Sequence, residues 1–254
     1  MRSFRYSIFL SLLLLLPVST SFAQEIVLGT DFVSRYVWRG FDLGDNAPSL
    51  QPNVAIVAGG FTAGFWGAYS FSNKEALDEI DFYASYAFDL GENAGALSLG
   101  FTDYMNPNTG VPLSNFNNYD AVPAAGEDPL KEGPGAHYIE INAGYNGPES
   151  FPISLSLNMF AYNVEKNPLY FQVGYNTTLN DVGLNFFVGG TNGQSDLEYS
   201  NTYYYGTDKF DLTNVGFTAS KTIPITEKFS LPIFGSVVVN PSADHMFYVI
   251  GIKL

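Results

Sequence analysis

Phe61-Thr62-Ala63-Gly64-Phe65-Trp66-Gly67-Ala68-Tyr69-Ser70-Phe71 is the stretch that decides how this chain is read. Successive side chains of a strand point to opposite faces. Taken two at a time, Phe61, Ala63, Phe65, Gly67, Tyr69 and Phe71 make one apolar, aromatic face, and Thr62, Gly64, Trp66, Ala68 and Ser70 make a mostly small one. The same period returns along the chain. Ile80, Phe82, Ala84, Tyr86 and Phe88 oppose Asp81, Tyr83, Ser85 and Ala87; Ile153, Leu155, Leu157 and Met159 oppose Ser154, Ser156 and Asn158. Leu169, Phe171, Val173 and Tyr175 oppose Tyr170, Gln172, Gly174 and Asn176, and Val182, Leu184, Phe186 and Val188 oppose Gly183, Asn185, Phe187 and Gly189. The second face is neutral and polar, rarely charged.

That neutrality separates two all-β folds. A soluble sandwich or barrel turns its apolar face inward and carries Lys or Glu outside. Here the charges gather in the connections, as at Asp42, Asp45, Lys74, Glu75, Glu127, Asp128, Lys131, Glu165, Lys166, Asp196 and Glu198. Charged residues are only 14% of the chain, against about 25% in ordinary soluble domains. Beyond residue 23 no apolar run is long enough to cross a bilayer as a helix. An exterior of alternating strands solvated by lipid accounts for both facts, and the sequence predicts an antiparallel transmembrane β-barrel.

The amino terminus fits export to such a site. Arg2 and Arg5 precede the apolar stretch Ile8 to Leu16, and Ser21-Phe22-Ala23 has the small-x-small form of a cleavage site, so residues 1–23 are expected to be a signal peptide and 24–254 the barrel domain. With no cysteine, neither a lipid-modified cysteine nor a disulfide is expected. The expected location is the outer membrane of a Gram-negative bacterium.

About 12 strands can be placed, starting near Ile26, Leu50, Phe61, Glu79, Gly95, His137, Ile153, Leu169, Val182, Phe210, Phe229 and His245. Tight connections at Gly59-Gly60, 90–93, 146–150, Asn180-Asp181 and 224–227 alternate with mostly longer ones, notably 105–133 and 192–209. An even barrel with both termini in the periplasm produces this alternation, with the long loops outside. The segment Phe210 to Lys221 changes phase midway, as a bulge would make it do. Pro107, Pro112, Pro123, Pro129 and Pro134 set the third long loop against regular structure. Tyr36, Trp38, Tyr69, Phe71, Tyr86, Phe88, Phe101, Tyr145, Tyr170, Phe171 and Tyr248 fall near strand ends, where aromatic rings favour the headgroup boundary. The terminal strand Tyr248 to Leu254 has the alternation read by outer-membrane insertion machinery, with Leu254 where that signal ends in an aromatic.

The first hairpin, Gly29-Thr30-Asp31-Phe32-Val33-Ser34-Arg35-Tyr36-Val37-Trp38-Arg39-Gly40, is followed by Ala47-Pro48-Ser49-Leu50-Gln51 and the Gly-rich run from Gly60. Over residues 29–90 it resembles the TorF-type porin family, with an aromatic-x-Arg-Gly strand end, a Pro-containing loop and a Gly-rich second hairpin. The resemblance implies an outer-membrane channel of undefined substrate with no catalytic residues to transfer.

The search for chemistry is mostly negative. Two histidines and no cysteine argue against a thiol enzyme or a histidine-rich zinc site, and no Gly-x-Ser-x-Gly or phosphate loop occurs. The enzymatic rival is a barrel-embedded lipid-modifying enzyme built on His137, His245 and Ser242, against which both histidines read as interfacial residues at strand starts. No catalysis, metal or cofactor is expected. Twenty-five carboxylates against eleven basic residues argue against nucleic acid, and loss of Arg2 and Arg5 would leave a net charge of about −16. The expected partners are lipid and lipopolysaccharide, the insertion machinery and small solutes.

The function predicted is passive diffusion of small solutes or ions, with a non-conducting scaffold as the alternative. Inward Gly64, Gly100, Gly144, Gly174 and Gly189 widen the lumen, whereas Trp66, Tyr83, Tyr138, Tyr170 and Phe187 can fill it. On the first strand, the phase that sends Ile26, Leu28, Phe32, Tyr36 and Trp38 to lipid sends Asp31, Arg35 and Arg39 inward. With Asp81 and Glu140 on other strands, these five charges are the candidates for selectivity, as a basic strip facing acidic groups across the lumen.

Overall fold

The computed structural model describes residues 24–71 and 78–254; the expected signal peptide, Lys74 and Glu75 lie outside the described residues. Twelve strands close into one antiparallel barrel. In chain order they are β1 (Gln24–Val33), β4 (Ser49–Ala58), β5 (Phe61–Ser70), β6 (Glu79–Asp89), β7 (Ala96–Met105) and β8 (Tyr138–Asn146), then β9 (Ile153–Tyr162), β10 (Leu169–Leu179), β11 (Val182–Thr191), β12 (Asp211–Thr226), β13 (Phe229–Asn240) and β14 (His245–Lys253). Each begins within two residues of its expected start. The two-residue strands β2 (Val37–Trp38) and β3 (Phe41–Asp42) form a separate small hairpin between β1 and β4.

Because strands alternate in direction, the connections sort onto two rims. One holds the turns at Gly59-Gly60, 90–95, 147–152, Asn180-Asp181 and 227–228, together with Gln24 and Leu254. The other holds Phe71 and Asp78, the described ends of the connection L2, and loops L1 (34–48), L3 (106–137), L4 (163–168), L5 (192–210) and L6 (241–244). Gln24, the first described residue, and Leu254 therefore share the short-turn rim. Gly59 and Asn180 take left-handed φ of 60° and 56°, as hairpins twisted in the sense of their strands require. L3 is less irregular than its prolines suggest: Pro107–Thr109 makes one 3-10 turn and Pro129–Glu132 one α turn, with Pro at the helix start where its missing N–H costs nothing.

The apolar face points out. Leu28 and Ile250 are 73% and 69% exposed, as a surface solvated by acyl chains would be. The bulge anticipated in β12 is present, with Gly189 opposite Asn214, Gly190 opposite Leu212, and Thr213 the extra residue. Inside, large and small side chains interlock. A Cβ on Gly64 would meet Tyr83, one on Gly189 Tyr170, one on Gly216 Phe187 and one on Gly251 Phe234. Inward rings thus reach over glycines of neighbouring strands, where any side chain would collide with them.

The buried core is inside the barrel, where loop side chains pack on inward side chains of the wall strands. Phe160, Val164, Tyr170 and Tyr205 form one cluster with Trp38, Phe41, Tyr104 and Tyr138 around it; Phe187, Val238 and Phe247 form another against Val37. This corrects the lipid-facing assignment of Tyr36 and Trp38. β1 ends at Val33, so strand phase no longer applies, and L1 turns into the barrel. Tyr36 is 6% exposed and Trp38 stacks on Tyr205. Tyr170, placed among the boundary aromatics, is likewise inward and buried.

Candidate functional site

L1 crosses the lumen because one residue pair permits its turn. Arg39 and Gly40 both take left-handed φ, 51° and 87°. A Cβ on Gly40 would run into the Thr213 carbonyl, so only glycine fits against this wall. Asn240 of β13 donates Nδ2 to the Gly40 carbonyl at 3.1 Å. At the other end Tyr36 donates its hydroxyl to Glu79 of β6 at 3.0 Å, and Ser70 donates to the Gly44 carbonyl at 3.0 Å. L1 is pinned to opposite walls.

Arg39 occupies the centre. Its guanidinium donates to both oxygens of Glu140 on β8, at 2.5 and 2.8 Å, and lies 4.4 Å from the ring centroids of both Trp38 and Tyr170. Glu140 is fully buried and also accepts from Tyr104 and Asn142 at 2.9 and 2.8 Å. Both charges are paired, hydrogen-bonded and stacked, which a buried ion pair needs if its desolvation is to be offset. Tyr205 comes from L5, and its oxygen accepts from Arg39. Burial pushes this phenol well above its usual value, so it stays neutral.

L5 is held down by L4. Glu165 accepts from the backbone N–H of Glu198, Tyr199 and Ser200 at 2.5, 3.1 and 2.9 Å, while its carbonyl accepts from Gln194 Nε2 at 2.6 Å. Gln194 Oε1 in turn accepts from the Tyr204 N–H. Desolvation raises the Glu165 pKa, but the three amide donors and Lys166 outweigh it and hold the carboxyl below its usual range.

The plug divides the interior. Above it lie two cavities of about 280 Å³ each, one lined by Tyr119, Tyr138, Asn163, Gln194, Tyr199 and Tyr204, the other by Trp38, Glu79, Tyr104, Asn106, Tyr138 and Tyr204. Below it, a cavity of about 230 Å³ is bounded by Arg35, Tyr36 and Arg39 of L1 and by Gln51, Asn214, Thr218 and Ser236 of the wall. Further toward the short-turn rim the inner face stays neutral and polar, with bonds Tyr83 to Asn53, Thr102 to Asn142, Asn142 to Asn158 and Asn185 to Asn176.

Of the five charges read as candidates, the structure brings Arg39 and Glu140 together. Asp81 is buried on the inner face of β6, two residues from Glu79. Arg35 turns back on its own loop, 3.4 Å from Asp42, with its guanidinium 5.5 Å from the Phe247 ring centroid. Asp31 lies apart, 3.9 Å from Lys253. Arg35 and Arg39 reach the lumen through L1, and not as inward positions of a strand, because β1 has already ended. Sequence reading missed Tyr205, Glu165 and Asn240; the run Tyr203-Tyr204-Tyr205 in a loop was the one available signal, since exposed loops have no use for three consecutive rings. At the rim, Ser242 donates to Asp211, His245 meets the edge of Phe247, and His137 sits between Asp103 (2.7 Å) and the Leu113 carbonyl (2.8 Å) with Phe116 stacked on it.

A protein-family model described as "Bacterial protein of unknown function (Gcw_chp)" matches residues 19–220. No curated protein matches the chain. A solved structure described as "KdgM porin" is similar over 89% of this chain and 96% of that chain, at 12% identity and a TM-score of 0.46. Another, described as "Unveiling the Mechanism Behind the in-meso Crystallization of Membrane Proteins", is similar over 90% of this chain and 83% of that chain, at 11% identity and a TM-score of 0.43. The TorF-type name is not confirmed by these matches.

Proposed function

We propose that this chain, which belongs to the Gcw_chp family of bacterial proteins of unknown function, is an outer-membrane channel for passive diffusion of small solutes, closed in this conformation by L1 and L5. The observation that carries this reading is the pair of cavities of mixed polar and apolar lining that both abut L1, one at Trp38 and Leu43 and the other at Arg35, Tyr36 and Arg39. A scaffold barrel of this size fills its interior with wall side chains. Here L1 and L5 complete the filling, packed on wall side chains and tied by polar contacts that can be exchanged for water, while the wall below them stays hydroxyl- and amide-rich. The TorF-type porin resemblance of residues 29–90 agrees with this, as do the outward apolar face and the expected export signal. On this reading both termini are periplasmic, lipid and lipopolysaccharide surround the barrel, the insertion machinery reads β14, and the protein is not an enzyme.

Within the path, Arg39 and Glu140 cancel, as do Arg35 and Asp42. Glu79 and Asp81 place two buried carboxyl groups side by side on β6, and these become an acidic, cation-favouring lining when L1 moves and water reaches them. The density of contacts on L1 favours a second reading, a permanently closed scaffold. Single-channel recording in planar bilayers decides between them. The wild type is expected to open infrequently and an Arg39→Gln/Glu140→Gln variant more often; silence from both, in protein shown to be folded and inserted, leaves the scaffold.

A further inference from the structure

Tyr204 lies deep in the barrel mouth yet 37% of its surface is open, because it faces cavities and not bulk solvent. It is shared, with Tyr138, by both cavities above the plug, which are adjoining compartments of a two-part chamber at the long-loop rim. The rings of Tyr119, Tyr138, Tyr199 and Tyr204 supply its walls, Trp38 and Tyr104 its floor. Among the described residues no bond engages the hydroxyls of Tyr119, Tyr138, Tyr199 or Tyr204. Asn163, 3% exposed, lines the same chamber and is fixed by its Nδ2 on the Gly135 carbonyl, with its Oδ1 shut off from the cavity.

We propose that this chamber binds a neutral saccharide of one or two rings. A sugar offers C–H faces that rest on aromatic rings and hydroxyls that both donate and accept, and free phenols, each a donor and an acceptor, match that mixture. An anionic ligand has no partner here: the described lining contains no Lys, Arg or His. Aromatic rings also attract an ammonium group, but the two carboxylates that would complete its site are engaged, Glu165 by three backbone amides and Glu79 by Tyr36, so tetramethylammonium is the rival probe. The chamber is preformed, since Glu165, Gln194 and Asn163 tie L5, L4 and L3 together around it.

The proposal deepens the channel reading by giving its outer mouth a solute class, but binding can be measured whether or not the barrel conducts. Full-length protein folded in detergent is titrated with glucose, maltose and cellobiose, following Trp fluorescence and titration calorimetry, with galacturonate and tetramethylammonium in parallel. Saturable binding of at least one neutral sugar, with a dissociation constant on the order of millimolar, is expected. Tyr199→Ser, at the half-exposed lip, and Tyr204→Leu are each expected to weaken it about fivefold to tenfold. No saturable binding of the three neutral sugars to the wild type overturns the proposal, as does preference for either charged probe. Unaltered affinity in a folded Tyr199→Ser protein overturns the assignment to this chamber. Current without sugar binding leaves the channel reading standing and removes the site; sugar binding without current does the reverse.

Discussion

Arg39 and Gly40 carry more of the interior than any other adjacent pair. Gly40→Ala adds a left-handed penalty of about 1–2 kcal/mol and a clash with Thr213 that backbone shift alone must relieve. L1 is expected to leave its seat while the barrel stays closed, seen as new protease cleavage within 34–48 without loss of β-sheet signal; an L1 as resistant as in the wild type would contradict the role given to this glycine. For the ion pair, Arg39→Gln or Glu140→Gln strands one buried charge and is expected to cost about 3–5 kcal/mol of unfolding free energy, whereas replacing both costs less than the two together. A double-mutant cycle in denaturant checks this, and additive losses would mean that the pair is not coupled. These two residues were legible as lumen charges because an arginine or glutamate in so neutral a chain has nowhere else to go. Their contact was not legible. Alternation assigns faces along strands, and Arg39 reaches Glu140 through a loop whose path depends on φ values that strand periodicity does not record.

At the scale of elements, strands and loops differ in how much the sequence discloses. A strand of this barrel is specified locally, by every second residue facing lipid, which is why β5, β9 and β11 begin where the pattern begins. L5 is specified by partners far away in sequence, chiefly the Glu165 carboxylate on three consecutive amides. Its lowered pKa fixes the sign of a pH effect: the stabilisation is complete above the ordinary glutamate value of 4.5 and is lost as pH falls through the lower folded value. Since the chain has no cysteine, a nitroxide on Asn201→Cys reports L5 alone. Its spectrum should be immobile at neutral pH and gain a mobile component only below 4.5. Glu165→Gln should show the mobile component throughout. A transition beginning above 4.5, or the same profile in Glu165→Gln, would assign the effect to another carboxylate.

For the molecule as a whole, closure rests on its shortest seam. β1 pairs with β4 over ten residues, from Gln24 opposite Ala58 to Val33 opposite Ser49, but with β14 over only Asp31 to Val33. Thr30 and Leu254 extend the seam by exchanging both backbone bonds at 2.9 Å, and Ser34 adds a bond to Ile250 at 2.8 Å. The remaining edge of β1, Gln24 to Gly29, has no ladder partner on that side among the described residues. A barrel that opens should therefore open here, because fewer bonds must break to part these two strands than at any hairpin. Antiparallel pairing places Asp31 and Lys253 in the closely approaching, non-hydrogen-bonded position next to the Thr30–Leu254 pair, where a disulfide fits. The native residues there form only a long, partly exposed ion pair, so replacing them removes little. In Asp31→Cys/Lys253→Cys the oxidised bond spans nearly the whole barrel, for which loop-closure entropy alone predicts roughly 5 kcal/mol. Val57→Cys/Thr62→Cys, across the Gly59-Gly60 turn, closes a short loop and joins strands that never need to part first. Oxidation of the seam pair is expected to slow unfolding in denaturant by orders of magnitude, and oxidation of the hairpin pair to change it little. Similar slowing by both bonds would mean that the barrel does not open at the seam, and slowing by the hairpin bond alone would place the first rupture between β4 and β5.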